Sequence, residues 1–295
     1  MSTQPTYSGG KRNRYRPGMP WSERATKDLK AWLADAKQAF TGGARFQLVT
    51  YPDYPSKRTT IFKIAGALNA RLSNIPQPGT DLVLYFHDAT FKQYTDVPGM
   101  PAGVRVLNGN CTDISKFNVD RVHRQIFGYA TEVDPLTHTG SAVEKSDENA
   151  KHDGRIVQLP IAEARPDTIY QVVIDNTVSD TEVVDYRVPV ICGLLPLVYR
   201  KYKSHAQRFT NEVSRSTLHA VEECFSEAEV DQIAAFTAAM DADFCELDVL
   251  RDNASGKLYI IDVNTTPYGP PAGLSADAHG KAVELLSEAF RSAFL

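Results

Sequence analysis

The segment from Cys245 to Pro271 constrains the fold of this chain more than any other part of it. It overlaps two stretches of strand-like sequence, Phe244–Arg251 and Lys257–Val263, which alternate or concentrate apolar and β-branched residues. Between them, residues 252–256 read Asp-Asn-Ala-Ser-Gly, which is the composition of a turn. We therefore predict a β-hairpin centred near Ser255.

This hairpin would bring four polar side chains together. Its register pairs Asp248 with Asp262 and Glu246 with Asn264, and alternation along the strands puts all four side chains on one face. The other face would enter a core with Leu247, Val249, Ile261 and Val263. Further along the hairpin, the polar face would also include Leu250 and Ile260.

Three carboxylates and an amide on one face repel each other unless a cation lies among them. Oxygen ligands on a rigid hairpin suit Mg²⁺, which binds a few carboxylates together with water and phosphate oxygens. The alternative is a half-solvated sheet face with ordinary surface charge. The set of four polar residues favours the metal site, whereas any one acid alone would favour surface charge.

The hairpin resembles the C-terminal metal site of the ATP-grasp superfamily, in which an acidic strand is followed by a strand ending in acid-x-Asn-x-x-Pro. In this chain that strand end is Asp262-Val263-Asn264, followed by Thr265-Thr266-Pro267. The resemblance implies that Asp248, Asp262 and Asn264 hold Mg·ATP, with Glu246 as a further ligand or a substrate contact. The family usually has Glu where this chain has Asp262, and the shorter side chain leaves open whether one or two metal ions bind.

Composition places the chain among soluble globular proteins. It has 295 residues, enough for one large domain or two to three small ones, with 42% hydrophobic and 23% charged residues. The net charge of −4 does not favour bulk binding of nucleic acid. The longest apolar run, residues 188–199, is interrupted by Pro189 and Pro196 and is too short to span a bilayer. The four cysteines are scattered, which fits a reducing, cytoplasmic compartment.

The first twenty residues carry basic but no acidic side chains and lack the apolar core of a secretory signal. Their composition predicts a disordered tail. The tail either has no role beyond being solvated or touches nucleic acid, acidic lipid or the protein's own site through Lys11, Arg12, Arg14 and Arg16.

Residues 21–112 predict a small α/β domain with a mostly parallel sheet, because strand and helix patterns alternate along them. The expected strands are Arg45–Tyr51, Asp81–His87 and Gly103–Asn108, and the expected helices are Leu29–Phe40 and Thr59–Ser73. His87 and Asp88 follow a buried strand, where open α/β sheets often place functional groups. A capped loop is the alternative for these two residues.

Residues 113–295 would then form the ATP-grasp domain, with a lid subdomain at about 140–175. By resemblance, Lys116 at a helix start and Lys145 at the end of a short strand are the two lysines that contact ATP phosphates. Ala142–Lys145 and Gly154–Leu159 would form a hairpin whose loop closes over the phosphates. The family loop is commonly rich in glycine. Here its backbone donors would be replaced by side chains of Ser146, Asn149 and His152.

The strand Thr168–Ile174 resembles the segment whose backbone reads adenine, which gives Gln171, Val172 and Ile174 as nucleotide contacts. The strand in Val183–Gly193 resembles a core strand that carries an arginine, Arg187, into the phosphate site. A salt bridge between Arg187 and Asp185 or another neighbour is the alternative. In the basic strand that follows, Arg200, Lys203 and Arg208 either receive an acidic substrate or form a solvated face.

The resemblance implies an ATP- and Mg²⁺-dependent ligase, a mixed α/β protein made of two α+β subdomains preceded by an abbreviated α/β domain. Arg187 and Lys145 would assist catalysis, a small-molecule carboxylate would be activated as an acyl phosphate, and an amine or similar nucleophile would attack it. The alternatives are a nucleotide-binding regulatory protein, a phosphotransferase of the same superfamily, or a nucleic-acid binder acting through the basic tail. We expect no membrane or nucleic-acid partner, and the sequence leaves the oligomeric state open.

Overall fold

A computed structural model describes residues 20, 22, 46–93, 96–149, 151, 153–210 and 212–295. The predicted helix Leu29–Phe40 lies outside these residues, as do residues 1–19 of the predicted tail and His152 of the predicted lid loop. Three sheets and four α-helices make up the described part of the chain. None of these helices is both long and apolar enough to cross a membrane.

The first sheet confirms the predicted parallel layer. Its four strands lie in the order β2-β1-β3-β4, and all of its pairings are parallel. Helix α1 (Thr60–Ala67) follows β1. The strands are β1 (Gln47–Pro52), β2 (Arg71–Ser73), β3 (Leu82–Phe86) and β4 (Arg105–Leu107).

The helix predicted over Thr59–Ser73 is shorter than the apolar pattern indicated. It ends at Ala67, and Asn69 adopts a left-handed conformation with φ of 52°. That conformation stops the helical path, so the chain turns and enters β2. Leu72 therefore lies on a strand that pairs with β1 rather than on the helix.

The second sheet is antiparallel and carries the predicted hairpin. Its five strands lie in the order β10-β9-β8-β11-β12, so β8 and β11 are adjacent in the middle. Strand β10 was not expected from the sequence pattern. The strands are β8 (Glu182–Ile191), β9 (Val198–Ser204), β10 (Arg215–His219), β11 (Phe244–Arg251) and β12 (Leu258–Asn264). Three helices pack on this sheet or near it, namely α2 (Lys116–Phe127), α3 (Glu227–Ala239) and α4 (Ala276–Phe294).

The third sheet is formed by the segment that we predict to be the lid, and we call it the lid sheet. Strands β5 (Gly140–Ser146) and β6 (Arg155–Leu159) form the expected antiparallel hairpin, and β7 (Thr168–Val172) pairs with the other edge of β5. Ala142, Leu159 and Tyr170 form a small core of this sheet.

The two faces of the five-stranded sheet have different partners. One face packs against α2 and α3 in a continuous apolar core, formed by Val119, Val122, Val188, Val190, Ile233, Phe236, Leu247, Val249 and Val263. The other face changes character along its length. It is apolar where it meets α4, at Ile191 and Phe244, and polar at the opposite end, at Arg187 and Asp248.

The apolar end of that face is shared with the parallel sheet. Phe290 of α4 lies edge-on to Phe46 and Phe244, with ring centroids 6.3 Å apart in both pairs. These residues belong to one buried cluster that also contains Ile61 and Leu84. Because a single core links the two sheets, the parallel sheet is anchored beside the hairpin. The boundary proposed between residues 112 and 113 stays a prediction.

The hairpin has the predicted register at its polar end. Asp248 pairs with Asp262, and Glu246 pairs with Asn264. A bulge follows, because Val249 pairs with Ile260 and leaves one extra residue on β12. The predicted faces of two residues are therefore wrong. Ile260 is fully buried in the core, and Ile261 turns to the polar side.

His123 is a buried imidazole inside the core between α2 and β12. Its ring stacks on Phe127 at a centroid distance of 4.4 Å and on Tyr259 at 5.9 Å. Neither ring nitrogen has a hydrogen-bond partner among the described residues. Burial lowers the pKa of His123 from 6.5 to about 4, although Asp120 opposes this shift. The folded protein therefore favours the neutral imidazole of His123 over the protonated one.

Because His123 is buried as a neutral ring, we expect it to lower the free energy of unfolding of the protein in acid. Because the folded state binds its proton less readily than the unfolded state, the contribution is intact above about pH 6.5 and is lost as the pH falls toward 4. Between pH 7.5 and 5.5 the wild type should lose about 1.5 kcal/mol more than His123→Phe, which keeps the stacking without the proton site. Urea unfolding of both proteins at the two pH values measures this difference. Equal losses of unfolding free energy in the two proteins would contradict the assignment of His123 as a buried neutral ring.

Candidate active site

A cleft lies between the lid sheet and the polar end of the five-stranded sheet. Cationic side chains outnumber carboxylates along its walls, and a smaller apolar part adjoins them. The cations are Lys116, Lys145, Lys151, Lys201, Lys203 and Arg208, the carboxylates are Asp153, Asp185, Asp248 and Asp262, and the apolar side chains include Val143, Ile174, Leu250 and Ile261.

Arg187 and Asp248 lie opposite each other on β8 and β11 and form an ion pair, through which Arg187 adjoins the cleft. The Arg187 Nε and Nη2 atoms donate to the two carboxylate oxygens of Asp248 at 3.0 and 3.2 Å. Burial alone would raise the pKa of Asp248, but Arg187 and Lys201 outweigh it and hold this pKa well below its usual range. Of the two alternatives for Arg187, the salt bridge is present, and its partner is Asp248 rather than Asp185.

Lys201 is a cleft residue that the sequence analysis missed. Its ammonium lies 3.2 Å from Asp248 Oδ1, and the residue is 5% exposed. Lys203 points to the same side and pairs with Asp185 at 2.8 Å. Alternation along β9 could have identified both, because positions 201 and 203 share a face.

Arg200 lies on the other face of β9, away from the cleft. It donates to the carbonyl of Glu223 at 3.0 Å, and its guanidinium lies over the ring of Tyr186. Of the three basic residues proposed to receive an acidic substrate, the structure therefore brings only Lys203 and Arg208 to the cleft.

Asp262 is the carboxylate of the hairpin that remains unbonded. Among the described residues, no donor lies within hydrogen-bond distance of it, although Lys116 and Lys145 attract it electrostatically. Burial, followed by repulsion from Asp248, raises the pKa of Asp262 to about 6. This side chain therefore carries unsatisfied negative charge toward the cleft.

Glu246 and Asn264 are more enclosed than the hairpin pattern suggested. Glu246 is 1% exposed, and its Oε1 accepts a hydrogen bond from Thr60 Oγ1 at 3.0 Å. The Asn264 Oδ1 accepts from the backbone N–H of Thr266 at 2.8 Å. Across the described ranges, no three side chains of His, Cys, Asp or Glu converge as a metal-binding cluster. The four predicted ligands lie on one strand pair but do not form a closed cage.

Lys145 and Lys116 meet at the lid side of the cleft. Burial, and then the charge of Lys116, lowers the pKa of Lys145 to about 8, against the attraction of Asp262. No hydrogen-bond acceptor contacts the Lys145 ammonium within the described part of the chain. Lys116 instead donates to the carbonyl of Glu148 at 2.7 Å and so ties the lid loop to the start of α2.

The lid loop also contacts the rest of the protein through Asn149. Its backbone N–H donates to Thr90 Oγ1 at 3.0 Å, and its side chain donates to the carbonyl of Val263 at 3.3 Å. Gly154, at the far end of the loop, lies against the ring of Phe209, where an added Cβ would come within 3.2 Å. The loop is thus docked over the cleft on both sides.

The three predicted adenine contacts all line the cleft, but their roles differ. The Gln171 side chain donates to Thr131 Oγ1 at 2.6 Å, and Thr131 in turn donates to the buried Asp120, so Gln171 anchors β7 to α2. The N–H of Val172 donates to the carbonyl of Thr131. The carbonyl of Ile174 accepts from Arg208 at 3.0 Å.

His87 and Asp88 lie beyond β3, close to the end of β12. Asp88 Oδ1 accepts from Thr266 Oγ1 at 3.4 Å, and the buried Lys92 donates to Thr265 Oγ1. Burial lowers the pKa of Lys92, and burial raises the pKa of Asp53, which follows β1. The carboxyl ends of β1 and β3 therefore open beside Asn264–Thr266, where parallel sheets commonly bind ligands.

The donor set fits a nucleotide and one divalent cation. Several lysines and Arg187 can neutralise phosphate oxygens, and the free carboxylate of Asp262 can coordinate an ion that the phosphates also hold. The apolar side chains Val143, Leu250 and Ile261 offer a surface for a planar base.

No protein-family model and no curated protein matches the sequence. Solved structures do match the fold. The ATP-grasp ligase PsnB, complexed with a phosphomimetic variant of its minimal precursor, Mg and ADP, superposes with a TM-score of 0.54 at 12% identity, covering 84% of this chain and 98% of that chain. The chain has the ATP-grasp fold.

Two further PsnB structures agree. The complex with the precursor peptide PsnA2 and AMPPNP gives a TM-score of 0.53 at 12% identity, covering 84% of this chain and 99% of that chain. The complex with minimal precursor, Mg and ADP gives 0.50 at 13% identity, with coverage of 84% and 98%. The ATP-grasp fold and its mixed α/β class, expected from the hairpin, are thus confirmed at the level of architecture.

The segment that follows β12 is fastened to α1. The N–H of Thr60 donates to the carbonyl of Pro267, and Lys63 Nζ donates to the carbonyl of Gly269 at 2.5 Å. A Cβ added to Gly269 would come within 2.5 Å of Thr60 Oγ1 and 2.7 Å of Glu246 Oε1. Only glycine allows this close approach.

Gly269→Ala should therefore lower the free energy of unfolding by about 1–3 kcal/mol, because the methyl group must displace the Thr60–Glu246 hydrogen bond. Gly280→Ala is the matched control. It lies in α4, where an added Cβ meets nothing within 4 Å, and it should raise the free energy by about 0.5–1 kcal/mol. Chemical denaturation of the three proteins gives the comparison, and equal effects of both variants would refute the close approach.

Proposed function

We propose that this protein is an ATP- and Mg²⁺-dependent ligase that joins a carboxylate to an amine or similar nucleophile. The observation that carries the proposal is that Lys145, Asp248 and Asp262 line one cleft beneath a docked lid loop, with Arg187 paired to Asp248. A triphosphate needs several fixed positive charges, and a metal-bridging carboxylate beside them fits phosphoryl transfer better than simple anion binding. PsnB, which has a similar fold, is an ATP-grasp ligase that was complexed with Mg and ADP, and this supports the same class.

The nucleotide would lie along the cleft with its base between the two sheets. Val143 from the lid and Leu250 and Ile261 from the hairpin provide apolar contacts, and the backbone near Ile174 provides the polar edge. The phosphates would then extend toward Lys116, Lys145 and Arg187. Lys145 suits this role because its ammonium has no competing acceptor among the described residues.

The reaction would begin with attack of a substrate carboxylate on the γ-phosphate, which gives an acyl phosphate and ADP. The amine then attacks the acyl carbon, and phosphate leaves with the bonding electrons of the C–O bond. Bound Mg²⁺ would supply charge neutralisation at the phosphate oxygens, and Asp262, with Asp248, Asn264 and Glu246 as the other predicted ligands, would hold it. Arg187 and Lys145 would stabilise charge on the transferred group, and the lid loop would exclude water.

The substrates would enter beside the end of the metal strand. The carboxyl end of β3 presents Asp88 next to Thr266, and Asp53 at the end of β1 lies near His87 and Asp88. Small acids and amines are the proposed substrates. PsnB is described as binding a precursor peptide, so a peptide carboxylate is the second class to screen.

Thermal unfolding tests the nucleotide site. ATP and Mg²⁺ together should raise the midpoint, corresponding to about 2.7 kcal/mol when ATP is at one hundred times its dissociation constant. Adding pairs of acids and amines should then release ADP together with phosphate. A stable phosphorylated product would instead indicate a phosphotransferase, binding without ADP release would indicate a regulatory protein, and no shift with any nucleotide would overturn the proposal.

Lys145→Ala should weaken ATP binding about 10- to 100-fold, since a charge-assisted hydrogen bond contributes about 1.5–3 kcal/mol. Lys281→Ala is the control, because this lysine pairs only with Glu284 on the exposed side of α4. Isothermal titration with ATP and Mg²⁺ measures both. Equal affinities of the two variants for ATP would show that Lys145 does not contact the nucleotide.

A further inference from the structure

A hydrogen-bonded chain of three side chains lies at the outer edge of the five-stranded sheet, on strand β10 and the turn that follows it. Thr217 Oγ1 lies 2.9 Å from Nε2 of His219, and Nδ1 of His219 lies 2.7 Å from a carboxylate oxygen of Glu223. Thr217 and His219 are two positions apart on one strand, so their side chains share a face. A hydroxyl, an imidazole and a carboxylate are thus linked in that order.

The carboxylate determines which atoms of this chain donate and which accept. An ionised Glu223 can only accept hydrogen bonds, so Nδ1 of His219 donates to it. In the neutral ring Nε2 is then the acceptor, and the hydroxyl of Thr217 donates to it. The hydrogen bond from His219 lowers the pKa of Glu223, which keeps this carboxylate ionised. In this arrangement the imidazole can remove a proton from the hydroxyl.

A positive charge lies beside the hydroxyl. Arg200 is directly opposite Thr217 in the pairing of β9 with β10, so the two side chains lie on the same face of the sheet. The Arg200 Nη2 atom donates to the carbonyl of Glu223 at 3.0 Å, which ties the guanidinium to the turn that carries the carboxylate. A cation held next to a nucleophilic oxygen stabilises the negative charge that develops when this oxygen attacks a carbonyl group.

The three side chains are separate from the nucleotide cleft and partly open to solvent. Thr217 lies on the opposite face of the sheet from the cleft residues Lys201 and Lys203. The side chain of Glu223 is 56% exposed, and that of His219 is 20% exposed. Thr217 is half-buried, and the methyl group on its branched Cβ crowds the hydroxyl, which favours reaction with a small acyl group.

We propose that Thr217, His219 and Glu223 form a second active site, which hydrolyses esters of small acyl groups. The Thr217 oxygen bonds to the acyl carbon while its proton passes to Nε2 of His219, and His219 then gives that proton to the leaving alcohol. Water, deprotonated by His219, attacks the acyl-threonine ester, releases the acid and restores Thr217. Glu223 is a positioning residue that holds Nδ1 and offsets the charge of the protonated imidazole. This activity goes beyond the proposed ligase and does not depend on it.

Labelling of the full chain with a fluorophosphonate tests the site, because this reagent bonds to activated hydroxyl groups and releases fluoride. Peptide mass spectrometry should find the label on Thr217 of the wild type. Thr137 is the internal control and should stay unlabelled, because its hydroxyl donates to Asp134 rather than to an imidazole. Thr217→Val should lose the label, and Thr217→Ser should keep it. The ester activity is the hydrolysis of p-nitrophenyl acetate that Thr217→Val removes.

The rates of labelling and ester hydrolysis separate the roles of the two partners of Thr217. His219→Gln should slow both reactions at least about 100-fold, because it removes the general base. Glu223→Gln keeps an acceptor for Nδ1 but removes the charge, so it should slow both at least about tenfold with little change in the free energy of unfolding. His205→Gln is the matched control. His205 is an exposed histidine whose ring contacts only the carbonyl of Ser179 among the described residues, so its replacement should leave both rates unchanged.

The absence of label on Thr217 in the wild type would overturn the proposal, and the three side chains would then only tie β10 to the following turn. An unchanged labelling rate in His219→Gln would overturn it as well, because the imidazole would not be the base. Labelling of Thr217 without any ester hydrolysis beyond that of Thr217→Val would contradict the hydrolytic activity. Urea unfolding of each variant shows whether a lost rate reflects a lost fold, and Thr217→Ser, which keeps the hydroxyl, decides the outcome if Thr217→Val does not fold.

Discussion

Asp248 and Asp262 lie directly opposite each other on neighbouring strands, where like charges repel. The two carboxylates are neutralised by different groups and to different extents. Arg187 and Lys201 neutralise Asp248 from the same sheet, while Asp262 is left to the lysines of the lid side. The geometry of the cleft follows from that division. Fixed cations lie on the floor and a free carboxylate lies on the edge strand, where Lys145 of the lid sheet and Lys116 of α2 attract it.

The position of the hairpin depends on contacts made far away in sequence. Glu246 accepts a hydrogen bond from Thr60, which is 186 residues earlier in the chain. The carbonyl of Gly269 accepts a hydrogen bond from Lys63 of α1. The aromatic cluster around Phe290 joins the same two parts of the molecule from the other side. The parallel sheet is consequently held at a fixed place relative to β12, which is what the substrate site proposed at the carboxyl ends of its strands would require.

Local patterns predicted the strands and the register of the hairpin well, because alternation and a five-residue turn depend only on neighbouring residues. The bulge that exchanges Ile260 and Ile261 was not predictable, since both are equally apolar and only packing against α2 chooses between them. Lys201 was overlooked within a run of similar basic residues, although alternation was present. The enclosure of Glu246 by Thr60 is a long-range contact that no local pattern contains.

The bulge determines what an insertion or deletion in this hairpin would do during evolution. With one residue more on β12 than on β11 after Asp248, strand length, and not only composition, decides which side chain reaches the apolar part of the cleft. Removing a single residue from positions 258–261 would restore a regular ladder and withdraw Ile261, while leaving Asp262 in place. Insertion or deletion of one residue inside β12 would therefore reshape the apolar wall of the cleft in distant relatives. Aligning their sequences to this one would then require a gap within β12 rather than in the turn.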